Sequence, residues 1–208
     1  MNKQAITSET LSTEDKIRQA AAKVFVTKGY AATKTRDIAE EAGINIASLH
    51  YYYRSKDKLF EIVIGESMRR FSRSMDEIFG SNQPLHVKIR QFVSIYLDIF
   101  KENPQVPNFV LSESQHNPEM VSRLLRNEKS LSFLKKELKD LAEQGIIRPV
   151  HHAQFILNLM GLTIFPFVAK SIVSYKLELG DEEYAAMIEE SRDLIPDMII
   201  SYLYLKKP

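Results

Sequence analysis

Apolar residues recur every three or four positions along almost the whole chain, and no stretch alternates with the period of two that a half-buried strand requires. The spacing predicts an all-α protein. A first helix over 16–28 places Ile17, Ala20, Ala21, Val24 and Phe25 on one side and is closed by Gly29. Two short helices follow around a tight bend in the stretch 35–53, TRDIAEEAGINIASLHYYY. Thr35 is the expected N-cap, with Asp37 in the first turn and Ile38, Ala39 and Ala42 as the contact face. Gly43 supplies the positive φ that ends this helix, Ile44 plugs the angle, and Asn45 caps a second helix carrying Leu49 and Tyr53 inward. Ser55 is placed to cap a long fourth helix, 56–79, with Leu59, Phe60, Val63, Ile64, Met68, Phe71, Met75 and Ile78 at its apolar positions. That helix starts against the head and ends in the body, so it is expected to couple the two. Its Arg69, Arg70 and Arg73 read as a solvated face.

Beyond Gly80, Pro84 suits the first turn of a helix whose stripe is Ile89, Phe92, Val93, Tyr96, Leu97 and Phe100. Prolines at 104, 107 and 118 interrupt the pattern around a short helix over 109–115. One long helix is expected over 119–144, ended by Gly145. The most apolar segment, FILNLMGLTIFPFVAKSIV over 155–173, reads as a helix buried nearly all round, in the chain's own core or in a subunit interface, with a kink at Pro166. A last helix over 182–205 carries Met187, Ile188, Leu194, Ile195, Met198, Ile199 and Tyr202 and should bend at Pro196.

At 208 residues the chain is long enough for one or two domains. With no Cys it has neither disulfides nor thiolate metal sites, which fits a reducing, cytoplasmic setting. The first residues, MNKQAITSETLS, have no apolar run, so no secretory leader is expected there. No run of eighteen apolar residues predicts a membrane span. Net charge is +1, but residues 1–60 carry +3 and the remainder −2. This mild asymmetry fits a small basic head on a body that need not touch phosphate.

The exposed positions of the second short helix are Ile46, Ala47, Ser48, His50, Tyr51 and Tyr52, and Arg54, Lys56 and Lys58 lie beside it. A helix with hydroxyls, an imidazole and little negative charge suits a DNA major groove, with phosphates at its edges. An ordinary helical corner is the plainer alternative. The flanking motifs favour the first reading: Ala21-x-x-x-Phe25, Gly29-Tyr30, Thr33-x-Thr35, Ile38-Ala39-x-x-Ala42-Gly43, Leu49-x-x-Tyr52-Tyr53 and Ser55-Lys56-x-x-Leu59. In this order and spacing, residues 13–64 closely resemble the N-terminal domain of the TetR family of bacterial transcriptional regulators. The resemblance implies about nine helices. They divide into a flexible arm (1–11), a helix-turn-helix DNA-binding domain (12–58), and a ligand-binding and dimerisation bundle (59–208). It implies that Thr35 and Arg36 start the supporting helix at the DNA, that Asn45, Ile46, Ala47, Ser48, His50, Tyr51 and Tyr52 form the recognition surface, and that Lys56 binds a phosphate. The sequence departs from the family pattern at Ile46, Ala47 and His50. Tyr53 stands where Phe is usual, so its hydroxyl needs a partner or an exit to solvent.

The resemblance also implies a homodimer through the last two long helices, a pseudo-palindromic operator in double-stranded DNA, and repression relieved by a small hydrophobic or aromatic effector. An activator, a ligand-independent regulator, or a non-enzymatic helical scaffold are the alternatives. Candidate effector contacts are Phe92, Tyr96, Phe100, Phe109, Phe133, Phe155 and Leu159, with Ser112, His116, Asn158 and Thr163 as polar groups. Each ring has a core-packing reading beside the ligand one. No catalytic constellation, cofactor or metal site is expected. There is no glycine-rich phosphate loop, and His151-His152 are adjacent, so their rings should diverge. The pairs Glu182-Glu183 and Glu189-Glu190 read as solvated.

Overall fold

The computed structural model describes residues 11–124, 128–206 and 208. The arm before Leu11, the side chains of Ile64, Met68, Arg70, Phe71 and Leu124, and Leu125 lie outside the described residues. Eleven helices are described: α1 (Thr13–Lys28), α2 (Thr35–Glu41), α3 (Ile46–Tyr52), α4 (Lys56–Phe79), α5 (Leu85–Glu102), α6 (Val106–His116), α7 (Pro118–Leu124), α8 (Glu128–Glu143), α9 (His152–Val168), α10 (Lys170–Leu177) and α11 (Asp181–Leu203). The chain forms two compact units, Met1–Ser67 and Met68–Pro208.

In the first unit α1 begins at Thr13, three residues before the expected start, because the Ser12 hydroxyl accepts from the Asp15 N–H (3.1 Å) and extends the helix upstream. Its buried stripe is the expected one: Ile17, Ala20, Ala21, Val24 and Phe25. These pack with Ile38, Ala39, Leu49, Tyr53, Leu59 and Phe60 as the core of the unit. Phe60 meets Phe25 edge-on at 4.9 Å and Tyr30 at 4.8 Å.

In the second unit α5 buries Leu85, Ile89, Phe92, Val93, Tyr96, Leu97 and Phe100 on one face. Phe92 and Tyr96 stack at 4.1 Å, Phe100 lies edge-on to Tyr96 at 5.9 Å, and Phe167 of α9 lies against Phe100 at 5.3 Å. The outer side of α5 is tied to α11 by ion pairs: Arg90–Asp197 (2.5 Å), Arg192–Asp98 (2.6 Å) and Lys101–Glu189 (2.6 Å). Hydrogen bonds from Arg192 and Lys101 hold Glu189 down at about 2. Solvent screens exposed pairs of this kind, so they fix the register of α11 on α5 more than they stabilise it.

Several elements depart from the sequence expectation. Lys34, not Thr35, is the N-cap of α2, because the Asp37 carboxylate reaches back to the Lys34 N–H (2.9 Å). The short helix expected over 109–115 starts at Val106, since Pro107 fits a first turn that lacks N–H partners anyway. The single helix expected over 119–144 is described as α7 and α8, and its continuity would be decided at 125–127, outside the described residues. The apolar segment breaks at Ala169, where α9 and α10 diverge by 66°, three residues after Pro166 removed an N–H from the ladder. Tyr184 donates its hydroxyl to the Pro166 carbonyl at this break. Nor is the segment buried all round within the chain: Leu157, Phe165 and Ile172 are mostly exposed. No single helix among the described residues is long and apolar enough to cross a membrane, and only the bent α9–α10 pair reaches that composition. One feature has no helical signature at all. Ile147 pairs with Tyr204 in an isolated antiparallel bridge, with Arg148 N–H donating to the Leu203 carbonyl (2.8 Å) and Leu205 N–H to Ile146 (3.1 Å).

The body also buries a charge. Lys88 of α5 donates to Glu137 of α8 (2.8 Å) and to the Phe79 carbonyl at the end of α4 (3.4 Å). Removing Glu137 alone strands that ammonium. Glu137→Ala is therefore expected to destabilise by on the order of 2–3 kcal/mol, and Lys88→Met, which removes the charge and keeps the stem, by clearly less. Urea midpoints of the two variants check the order; a larger loss for Lys88→Met would contradict it.

Candidate nucleic-acid interface

The bend that orients α3 is built from backbone hydrogen bonds. Gly43 takes φ +67° and donates its N–H to Glu40 (3.1 Å), and the Ile44 N–H donates to Ala39 (3.0 Å), so α2 ends in a tight reversal only glycine adopts without strain. Asn45 then caps α3, its side-chain oxygen accepting from the Ser48 N–H at 2.7 Å. Leu49 is fully buried and anchors the inner side of α3. Ile46, Ala47, His50, Tyr51 and Tyr52 are left on the outside, Tyr51 with 83% of its surface exposed, and Ser48 is half-buried. The Tyr51 and Tyr52 rings meet edge-on at 5.3 Å. Arg36 is exposed and Thr35 half-buried at the start of α2. The described structure thus gathers the recognition candidates on one short helix, except that the Asn45 oxygen is already committed to the cap.

Lys56 is placed differently from a freely extended phosphate ligand. Its ammonium donates to the carbonyls of Tyr30 (2.8 Å) and Thr33 (3.0 Å) and sits 4.2 Å over the Tyr30 ring. The Thr33 hydroxyl donates to the Gly29 carbonyl (2.7 Å), and Tyr30 donates its hydroxyl to Asp57. The first turn of α4 therefore clamps the loop between α1 and α2. Sequence reasoning missed this second role, whose signal was the joint presence of Gly29-Tyr30 and Ser55-Lys56. The two carbonyls take two of the three ammonium protons. The Ser55 hydroxyl caps α4 as expected, accepting from Lys58 N–H at 3.1 Å.

Residues 17–63 match the model of bacterial regulatory proteins, tetR family. The chain is 28% identical over 179 residues, 83% of its length and 86% of the relative's, to YttP of Bacillus subtilis (strain 168), a probable HTH-type transcriptional regulator. Over 78 residues, 38% of this chain and 35% of the other, it is 37% identical to the HTH-type transcriptional repressor KstR2 of Mycolicibacterium smegmatis. Residues 17–63 are thus a tetR-family DNA-binding head. The fold agrees: the hemolysin II transcriptional regulator HlyIIR superposes with a TM-score of 0.60 at 23% identity, covering 87% of this chain and 97% of that one. FadR from Bacillus subtilis, solved with stearoyl-CoA, gives 0.60 at 15% identity, covering 88% and 97%. These likenesses make the chain a TetR-type DNA-binding transcriptional regulator.

Among the described residues of the body, the effector candidates lie in different surroundings. Phe92, Tyr96, Phe100, Phe155, Leu159 and Thr163 are buried, and the Thr163 hydroxyl is satisfied by the Leu159 carbonyl (2.7 Å). Phe109 is buried on α6, whereas Ser112 and His116 lie on its exposed side, where the His116 ring bonds the Ser112 carbonyl. Phe133 is exposed and lines a groove with Lys88 and Glu137. Phe155 and Asn158 share an open apolar cleft with Leu162, Met198, Ile199 and Tyr202. The His151 and His152 rings face each other at 4.4 Å instead of diverging, because His151 is the extended N-cap of α9 and not a helical residue. Burial, His151 and Lys135 lower the His152 pKa. Among the described residues no group of three His, Asp or Glu side chains is placed to hold a metal.

Tyr53 has the partner its position demands: its buried hydroxyl donates to Glu14 at 3.2 Å. Burial, then the Glu14 charge, pushes the phenol up to about 12. A raised phenol holds its proton longer in the folded than in the unfolded chain. Its stabilising contribution is thus complete below the unfolded value near 10 and is lost as pH rises towards 12. Tyr53→Phe should lose less stability between pH 9 and 11 than the natural chain does, as measured by urea unfolding at the two pH values. Equal losses would show that the Tyr53 phenol makes no such contribution.

Proposed function

We propose that this regulator is a homodimeric repressor that binds a pseudo-palindromic operator and is released by a small hydrophobic or aromatic effector. The observation that carries the DNA half is the exposed outer face of α3, capped by Asn45 and held by the buried Leu49. Residues 12–58 are assigned to DNA binding and 59–208 to effector binding and dimerisation. Arg36 reads a guanine through O6 and N7, and Ala47 and Ile46 meet thymine methyl groups. Thr35, Tyr51, Tyr52 and Lys56 contact phosphates, while Asn45, Ser48 and His50 complete the surface. An apolar outer face on α9 and α11 supports the dimer: Leu157, Phe165, Leu194, Met198 and Tyr202 are too many large exposed side chains for a stable monomer surface. Two heads related by a two-fold axis read two inverted half-sites. Effector binding in the body favours a head separation that no longer fits them, with α4 carrying the change.

Binding to the duplex that the natural chain selects tests the residue roles. Arg36→Ala is expected to lose about 1–3 kcal/mol, the value of one bidentate Arg–guanine contact, and to relax preference at one base pair. Lys56→Ala should weaken binding to every sequence and reduce the slope of log K against log salt by about 0.9, while also lowering the stability of the head by releasing the loop. Natural affinity and slope in both variants would overturn the assignment.

A further inference from the structure

We infer that the two-fold axis of the dimer passes beside Gly161, and that Phe165 of each subunit fills the cleft between α9 and α11 of the other. The inference rests on the homodimer proposed above and adds its register and its anchor.

The outer side of α9 carries Leu157, Gly161 and Phe165 at intervals of four, one ridge of the helix. Leu157 and Phe165 expose 66% and 63% of their surface. Gly161, midway between them, is exposed, and a Cβ built there meets nothing within 4 Å. The absent side chain lets a second backbone come close at that one point. In an isologous contact each patch faces itself. With two antiparallel copies of α9 crossing at Gly161, position 165 of one lies opposite 157 of the other, about 6 Å from the axis at 1.5 Å rise per residue. That places the Phe165 ring at the mouth of the neighbouring cleft.

The cleft is shaped for such a knob. Phe155, Asn158 and Leu162 of α9 form one wall, and Met198, Ile199 and Tyr202 of α11 the other. No charged side chain lines it, and the Asn158 oxygen is held by the Gln154 amide at 3.0 Å. Its volume of about 240 Å³ has room for one aromatic ring and falls below the roughly 300–1,000 Å³ of drug-sized ligand sites. An apolar side chain of the second copy therefore fits better than an effector. The far wall continues the interface, since Leu194, Met198 and Tyr202 are exposed at intervals of four along α11, while Ile195, Ile200 and Leu203 face the chain's own core.

The chain has no cysteine, so a single introduced thiol reports the register unambiguously. Gly161→Cys fits the subunit without a clash and sits at the axis, where Cα atoms of the two copies come within the roughly 4.4–6.8 Å a disulfide spans. On mild oxidation it should cross-link the dimer faster than Tyr175→Cys, an exposed position on α10. The reverse order, or no cross-link in either, overturns the register. Phe165→Ala should raise the dimer dissociation constant by on the order of 30-fold, the loss of one aromatic hot spot, as read by analytical ultracentrifugation, with unchanged far-UV circular dichroism because the ring is exposed in the subunit. A dimer as tight as the natural one would show that something other than Phe165 fills the cleft. A natural chain that stays monomeric at all concentrations would remove the homodimer itself, a separate failure from a dimer with another register.

Discussion

The angle between α2 and α3 governs everything that the first unit presents to solvent. It is set by Gly43 in the left-handed region, by the hydrogen bonds of the Gly43 and Ile44 N–H groups onto the last turn of α2, and by the Asn45 cap that restarts the helix two residues later. A Cβ at position 43 would meet no neighbouring atom, so glycine is required there by conformation and not by space. Once the angle is fixed, Leu49 must point into the core and Ile46, Ala47, His50 and Tyr51 must point out. Lys56 then locks the loop between α1 and α2 against the first turn of α4. A short helix can read DNA only if its support does not move, and this support is made of main-chain bonds and a buried cluster of aromatic rings.

The body meets a different constraint. Its helices α9 and α11 carry apolar residues on two opposite sides. One side, with Phe155, Leu159, Phe167, Ile188, Ile195 and Ile200, closes the core around the aromatic ladder of α5. The other has no cover among the described residues. Ion pairs along the outer side of α5 fix how α11 lies, and the bridge between Ile147 and Tyr204 pins its end. The exposed side is therefore presented at a fixed register, which is what a symmetric partner needs. The aromatic rings along α5 pack against one another at 4.1–5.9 Å within that core.

Much of this was legible in the residues. Gly29, Gly43, Asn45 and Ser55 act where helix-end chemistry puts them, and the Tyr53 hydroxyl has the partner that burial required. The stripes of α1 and α5 follow from a period of 3.6 alone. What the pattern could not show depends on contacts distant in sequence. Lys56 as a clamp needs Tyr30 and Thr33 in place, and Lys88 needs Glu137, 49 residues away. The all-round apolar segment read equally as core or interface, because hydrophobicity records that a face must be covered and not by which chain. Thr35 is not the cap because Asp37, in the first turn, accepts from the Lys34 N–H and so starts the helix one residue earlier.

The central claim is that the α3 surface reads DNA as a symmetric pair. The most direct test is selection of duplexes from a random pool by the purified chain at near-physiological salt. The account predicts recovery of one inverted repeat, its half-sites separated by about one helical turn or a multiple of it. Recovery of a single unrepeated site, or of salt-sensitive binding without sequence preference both with and without candidate hydrophobic effectors, would contradict it.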